Sequence, residues 1–204
     1  MKIYNSPQGS ESWLKERAGH FTASKANELL MPVSNLGYKD LIYQIAIEKI
    51  TGIPIDINYK SYDMIRGNEL EPQAREQYQL ETFDLVKEVG FMELNEFVGM
   101  SSDGLIGDDR QLEIKCKKYN THCRLLDGTE LMPKKDFLQI QFQLFVSGRK
   151  LCVYYCYYPG IKSYVQKIKR DEKTISEIEN KLEVAIKHVK DRIELIKKEQ
   201  SDAK

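Results

Sequence analysis

Ser101-Ser102-Asp103-Gly104-Leu105-Ile106-Gly107-Asp108-Asp109-Arg110-Gln111-Leu112-Glu113-Ile114-Lys115-Cys116 joins a turn-borne acid to an apolar strand interrupted by two charges. Leu105–Ile106 and Leu112–Cys116 read as strands separated by a Gly/Asp-rich turn. Side chains alternate along a strand, so Glu113 and Lys115 share one face while Ile114 points into the core. Asp103 sits at the end of the hairpin partner, just before Gly104. The two carboxylates are therefore expected to converge across neighbouring strands with an ammonium group beside them. Two hard oxygen donors plus a backbone carbonyl suit Mg²⁺ or Mn²⁺.

The triplet acid-x-Lys is not specific in itself. It occurs four times, at Glu113–Lys115, Asp171–Lys173, Glu179–Lys181 and Asp202–Lys204. Only the first lies in an apolar strand behind a turn-borne Asp; on a helix the same triplet is a solvated face. A charged pair in a strand also serves to protect a sheet edge. Charges set among apolar residues nonetheless tend to mark function.

Outward from this hairpin the period of the chain sorts its elements. Ser24 to Leu30 reads as a helix start, with Thr22 or Ser24 as its cap. Tyr38–Thr51 is a helix stopped by Gly52, and Glu69–Phe83 has helical pattern. Leu85–Val89, Phe91–Leu94 and Phe97–Ser101 are short, apolar and strand-like. Phe137–Val146 is an apolar helix ended by Ser147-Gly148, and Leu151–Tyr158 is too aromatic and β-branched for a surface helix. Ile175, Ile178, Leu182, Ala185, Val189, Ile193 and Ile196 step by three or four, and Thr174-x-x-Glu177 reads as a capping box. The order predicts an α/β (α+β) fold, a central mixed sheet flanked by helices. One domain over residues 1–204 is expected, with a long C-terminal helix at about 174–199 on its core.

Composition narrows the class. The 204 residues are 41% hydrophobic, enough for a real core. No apolar run approaches the roughly 20 residues of a membrane-spanning helix. The N-terminal stretch lacks the apolar centre of a secretory signal, so a cytoplasmic location is expected. Cys116, Cys123, Cys152 and Cys156 form no C-x-x-C pair, and Cys152 and Cys156 read as small hydrophobes in a strand. Lys+Arg and Asp+Glu both number 31, which on its face argues against nucleic acid. The balance is a cancellation: residues 56–109 carry 4 basic and 13 acidic groups, whereas 110–150 carry 9 and 4.

Two further pieces bear on chemistry. In Gly67-Asn68-Glu69-Leu70-Glu71-x-x-Ala74-Arg75, Glu71 shares a helix with the apolar Ala74 and can face the sheet. In Phe137-Leu138-Gln139-Ile140-Gln141 two glutamines interrupt an apolar helix, suited to hydrogen bonding near a phosphate or an active-site water.

Together these pieces resemble the lambda-type alkaline exonucleases, the YqaJ-like viral recombinase group of the PD-(D/E)xK nuclease superfamily. The stations are Trp13-x-x-x-Arg17-x-Gly19-x-x-Thr22-Ala23-Ser24, Gly67-x-x-x-Glu71, Ser101-x-Asp103-Gly104, Glu113-Ile114-Lys115-Cys116 and Gln139-x-Gln141, in the family's order. The resemblance implies a restriction-endonuclease-like core and a metal-dependent 5′-to-3′ exonuclease acting on linear duplex DNA, with one or two ions of Mg²⁺ (Mn²⁺ substituting). It implies that Asp103, Glu113 and the Ile114 carbonyl hold the metal, with Glu71 in support. Lys115 would position or activate water, with Gln139 beside it. Arg17, Ser24 and Ser101 fall at DNA-end positions and Gln141 in the same set; Ser24 is expected to open a helix whose N-terminus favours an anion.

Two departures stand out: Ser102 precedes Asp103 where the superfamily has proline, and Lys117-Lys118 follow Cys116 where many relatives have proline. These lysines would add phosphate contacts. The resemblance further implies a homotrimeric ring, a single-strand annealing partner and a phage or prophage origin in a bacterial host. Alternatives on the same residues are a structure-specific or Cas4-like endonuclease and a non-catalytic DNA-end-binding module.

Overall fold

The computed structural model describes residues 1–55 and 61–202. In chain order these form β1 (Lys2–Tyr4), α1 (Glu11–Arg17), a 3₁₀ turn (Ala23–Lys25), α2 (Ala26–Leu29), α3 (Leu36–Thr51), α4 (Tyr62–Thr82), β2 (Val86–Lys87), β3 (Phe91–Asn95), β4 (Val98–Met100), β5 (Gly104–Ile106) and β6 (Arg110–Lys115). They continue with α5 (Tyr119–Leu126), α6 (Lys134–Ser147), β7 (Leu151–Cys156), β8 (Tyr164–Lys169) and α7 (Glu172–Asp202).

The central sheet runs β2-β5-β6-β7-β8 and is mixed: β6 and β7 are parallel and the other pairings antiparallel. The parallel pair requires a crossover, which α5 and α6 supply. Both faces are covered, as a sheet with an internal parallel pair needs. On one face Leu112, Ile114, Val153 and Tyr155 bury against Ala74 and Tyr78 of α4. On the other, Cys152, Tyr154 and Cys156 pack with Ile140 and Leu144 of α6. Period-two alternation thus sorts β6 between two helical layers, and Gln111 and Glu113 fall to the α6 side.

The strands expected at 91–101 do not join this sheet. β3 and β4 pair with β1 in a separate antiparallel sheet of order β1-β3-β4. The outer edge of β4 is occupied, since Phe21 N–H donates to Phe97 O at 2.7 Å and Gly99 N–H to Phe21 O at 3.1 Å. That closes the β4 edge to the central strands.

Helix boundaries differ where caps decide. The helix expected from Glu69 begins at Tyr62, because Ser61 accepts the Met64 N–H, and it runs through Pro72. The cap of α7 is Asp171, whose Oδ1 accepts the Thr174 N–H at 2.8 Å, so Thr174 lies inside the helix and the expected capping box is not used. The apolar stripe of α7 buries Ile175, Ile178, Leu182, Ala185 and Val189. Ile193 is only half-buried and the stripe fades beyond it. β1, α1, α5 and β8 were not expected; each is short or lacks a long apolar period.

Gly104 sets how close β2 comes to the hairpin. A Cβ there would lie 2.1 Å from Val86 Cγ1, so any larger residue would displace the Val86 side chain of β2 beside Asp103.

Candidate active site

The β5–β6 register pairs Gly104 with Leu112, which carries Asp103, one residue before, to a place opposite Glu113. Asp103 Oδ2 accepts the Ile114 N–H at 2.6 Å. Ser102 is fully buried, and its hydroxyl lies 3.0 Å from Gly104 O and 3.2 Å from Leu112 O. Serine therefore closes the hairpin end by hydrogen bonding where a proline could only restrict the chain.

Glu113 is 1% exposed, yet both its oxygens are partnered. Oε1 accepts from Lys115 Nζ at 2.6 Å and from Gln139 Nε2 at 2.7 Å. Oε2 accepts from Gln143 Nε2 at 2.7 Å. Lys115 Nζ also donates to Gln139 Oε1 at 3.0 Å, so Gln139 ties the carboxylate and the ammonium together. From α4, Glu71 Oε1 accepts from Arg75 at 2.5 Å. The Arg75 Nε–H donates to Asp103 O at 3.0 Å, and Arg75 pairs with Glu88 at 3.0 Å. Arg66, on the same helix, donates to the carbonyls of Cys116 and Lys117, which docks α4 across the end of β6.

Electrostatics follow from this crowding. Burial, and then the charges of Glu113 and Glu71, push the Asp103 carboxyl well above the usual carboxylate range. Burial also raises Glu71, with Arg75 opposing. For Lys115, burial works to discharge the amine, but Glu113, Asp103 and Asp136 outweigh it and hold the group as ammonium. It is a donor here rather than a base. The carboxylates of Glu71, Asp103 and Glu113 thus repel one another with Lys115 and Arg75 as the cations among them.

Such a surplus of hard, negative oxygen fits a divalent ion of the Mg²⁺ type. Among the described residues no three His, Cys, Asp or Glu side chains form a ready-made ligand cluster.

A second group lies alongside. Arg17 stacks on Trp13, its guanidinium carbon 4.1 Å from the ring centroid, and reaches Ser24 Oγ at 3.3 Å. Thr22 Oγ1 lies 3.2 Å from Ser24 Oγ. Trp13 Nε1–H donates to Ser101 Oγ at 3.0 Å, joining this group to the strand that leads into Asp103. Ser24, however, sits in a single 3₁₀ turn followed by the four-residue α2. That is too short for a helix-dipole anion site, so any grip here belongs to the guanidinium and the hydroxyls.

Other expected residues stand differently. Gln141 is fully buried; its Nε2 donates to Lys169 O at 2.9 Å and its Oε1 accepts the Asp171 N–H at 2.8 Å. It pins the β8–α7 corner and has no atom left for DNA, which corrects its assignment. Lys117 is held 2.7 Å from Asp136, itself buried and bonded to Tyr154 Oη at 2.7 Å, so its charge is spent inside the protein. Lys118 is exposed, 3.1 Å from Asp63.

The glutamine missed from sequence is Gln143. Its signal was present, since Gln139 and Gln143 are four residues apart and share a helix face, whereas Gln141 lies off that face. Arg75 was missed because nothing in sequence shows which acids it would meet.

A mixed sheet between helical layers, with an Asp on one strand facing Glu-x-Lys on the next, defines a nuclease of the PD-(D/E)xK type. The chain belongs to the YqaJ-like viral recombinase domain family, whose pattern residues 12–150 match. It is similar to the alkaline exonuclease LHK-Exo from Laribacter hongkongensis, with 28% identity and TM-score 0.85 over 96% of this chain and 100% of that one. The same relative in complex with dAMP superposes with TM-score 0.86 over the same shares, again at 28% identity. A phage-related exonuclease from Haemophilus somnus 129PT shares the fold at 15% identity, with TM-score 0.68 over 87% of this chain and 96% of that one. No curated protein matches. Family, fold and the match to LHK-Exo make the chain a deoxyribonuclease with a role in phage-type recombination. Among the described residues no helix is long and apolar enough to cross a membrane.

Proposed function

We propose that this nuclease is a divalent-metal-dependent exonuclease. It removes nucleotides from the 5′ end of one strand of linear duplex DNA and leaves 3′ overhangs for single-strand annealing. The observation that carries the proposal is the adjacency of two groups: the Asp103–Glu113–Lys115 cluster, and Arg17 with Ser24, joined to it through Trp13 and Ser101. A terminal phosphate carries more charge than an internal diester, and a stacked guanidinium with two hydroxyls suits it. An enzyme that cuts from ends needs such a grip within one nucleotide of its chemistry.

Asp103, Glu113 and the Ile114 carbonyl would hold one or two Mg²⁺ ions, with Mn²⁺ able to substitute; when bound, the metal polarises the scissile phosphate and acidifies water. The remaining work belongs to the chain. Lys115, fixed by Glu113 and Gln139, presents an ammonium that orients the attacking water and offsets charge developing on phosphate oxygens. Glu71, restrained by Arg75, keeps the negative field that attracts the cation. Ser101 and the Arg17–Ser24 pair hold the 5′ phosphate, and the exposed Lys118 exchanges its surface pairing with Asp63 for a backbone phosphate. A homotrimeric ring around the DNA, an annealing partner and a cytoplasmic setting in the phage host complete the proposal; the family membership supports them.

The test is linear duplex with one 5′ end labelled and the other blocked, digested with and without Mg²⁺, beside a closed circle. Label leaves as mononucleotide from the open 5′ end only with Mg²⁺, and the circle survives. Cleavage of the circle would replace the exonuclease by an endonuclease, and turnover in excess chelator would remove the metal. Arg17→Ala slows digestion of 5′-phosphorylated ends by about 10–100-fold, the worth of a charge-assisted contact. Ends bearing 5′-hydroxyl are slowed far less, and equal loss on both would take Arg17 out of end recognition.

A further inference from the structure

We infer that Gln143 is a positioning residue that couples the grip on the DNA end to the orientation of Glu113, an inference that rests on the proposed function. Gln143 is 1% exposed, and both its Nε2 hydrogens and its Oε1 are engaged. One Nε2 hydrogen goes to Glu113 Oε2 at 2.7 Å and the other to Ser101 O at 3.0 Å. Its Oε1 accepts from Gln111 Nε2 at 3.1 Å, and Gln111 Oε1 accepts from Ser147 Oγ at 3.0 Å. Glu113 Oε2 and Ser101 O are both acceptors, so only one orientation of the amide satisfies the site. The carboxylate and the Ser101 backbone therefore cannot shift independently.

The connection extends in both directions. Ser101 Oγ holds Trp13 Nε1, and the Trp13 ring carries Arg17. Glu113 Oε1 holds Lys115 and Gln139. A phosphate settling on Arg17 and Ser101 acts on Glu113 through the single amide of Gln143. A buried amide placed only for packing has no need to bridge an acceptor on β6 and another on the connection between β4 and β5. An apolar residue of equal length would leave Glu113 Oε2 and Ser101 O unpaired in the interior.

The test uses Gln143→Met, which keeps the volume and removes the donor. Calorimetric titration of the DNA-free protein with MnCl₂ should show an affinity about 10–100-fold below wild type, as for loss of an outer partner of a metal ligand. Binding of 5′-phosphorylated against 5′-hydroxyl duplex, read by anisotropy in Ca²⁺, should lose at least about threefold of its preference, the size of coupling within one hydrogen-bond network. Leu144→Ala, a packing loss on the same helix toward the other cluster, lowers Tm but leaves both readouts in place.

Trp13→Phe keeps the shelf under Arg17 and cuts the chain at Ser101. It should lower the end preference with Mn²⁺ affinity unchanged, and it stands as the test if Gln143→Met does not fold. A folded Gln143→Met with wild-type Mn²⁺ affinity overturns the inference, as does wild-type end preference in Trp13→Phe. Failure of the function itself looks different: wild type would then bind no Mn²⁺ or spare linear duplex.

Discussion

Lys115→Met is expected to slow DNA hydrolysis by about 10²–10³-fold in a protein that still folds and still binds duplex ends. The ammonium sits 2.6 Å from Glu113 Oε1 and 3.0 Å from Gln139 Oε1, and the surrounding carboxylates keep it charged. A donor fixed in that way before substrate arrives needs no reorganisation as charge grows on the phosphate. Removing one such donor costs about 10²–10³-fold in the chemical step. DNA affinity should change little, because the Arg17–Ser24 grip is on other elements. Stability should fall by less than the roughly 3–5 kcal/mol of a buried charge stripped of partners, because Gln139 and Gln143 still donate to Glu113. Single-turnover release of labelled 5′ nucleotide, with anisotropy binding alongside, reads both effects. A variant within tenfold of wild type in the chemical step would show that Lys115 only balances charge.

The core of this site was legible because it is local. Strand period and one glycine turn suffice to bring Asp103 opposite Glu113, with Lys115 on the same face, and the observed register differs in nothing that matters. Glu71 and Gln139 stand out in the sequence as polar groups on otherwise apolar helix faces, but their roles came from the family's motifs, since each lies on a helix whose docking is tertiary. The confusion of Gln141 with Gln143 has the same origin. Helical spacing says that residues 139 and 143 share a face, but not that this face looks onto β6. Only the parallel β6–β7 pairing, made across a crossover of 35 residues, fixes that.

What sequence could not show is where charges end up. Lys117 reads as a phosphate contact until Asp136, 19 positions away, is seen to absorb it. Arg75 closes the Glu71 motif with no partner visible in the sequence, yet it touches Glu71, Glu88 and the Asp103 carbonyl. The same holds for the fold: the three-stranded sheet needs β1, whose three residues carry no period, and the bridge from Phe21 that closes the edge of β4. A net charge of zero concealed an acidic segment that builds a cation site. Of its basic counterpart, part faces solvent and part is spent on internal pairs.

Asp103→Asn should separate activity from stability, with opposite signs. The Asp103 carboxyl is raised because it is buried beside Glu113 and Glu71, so in the ionised form it weakens the metal-free fold. A carboxyl whose folded pKa lies above its unfolded value contributes stability that is fully present below the unfolded pKa, near 3.9, and is lost as pH rises through the folded pKa. In chelator at pH 8 the amide therefore melts higher than wild type, by about 2–4 °C for each kcal/mol of repulsion removed. The Ile114 N–H still finds an oxygen in asparagine, so the hairpin end is kept. Near pH 4 the advantage disappears, because wild-type Asp103 is then protonated. With MnCl₂ the order reverses: wild type gains stability by mass action and the variant does not. Nucleotide release falls by about 10³-fold or more, since the charge stabilisation lost amounts to several kcal/mol. Differential scanning calorimetry in EDTA and in MnCl₂, at pH 4 and pH 8, separates the cases. If the variant melts lower than wild type in EDTA at pH 8, the three carboxylates do not repel as their burial requires. If it still gains stability from Mn²⁺, the ion is held without Asp103, and Glu71 becomes the acid to replace next.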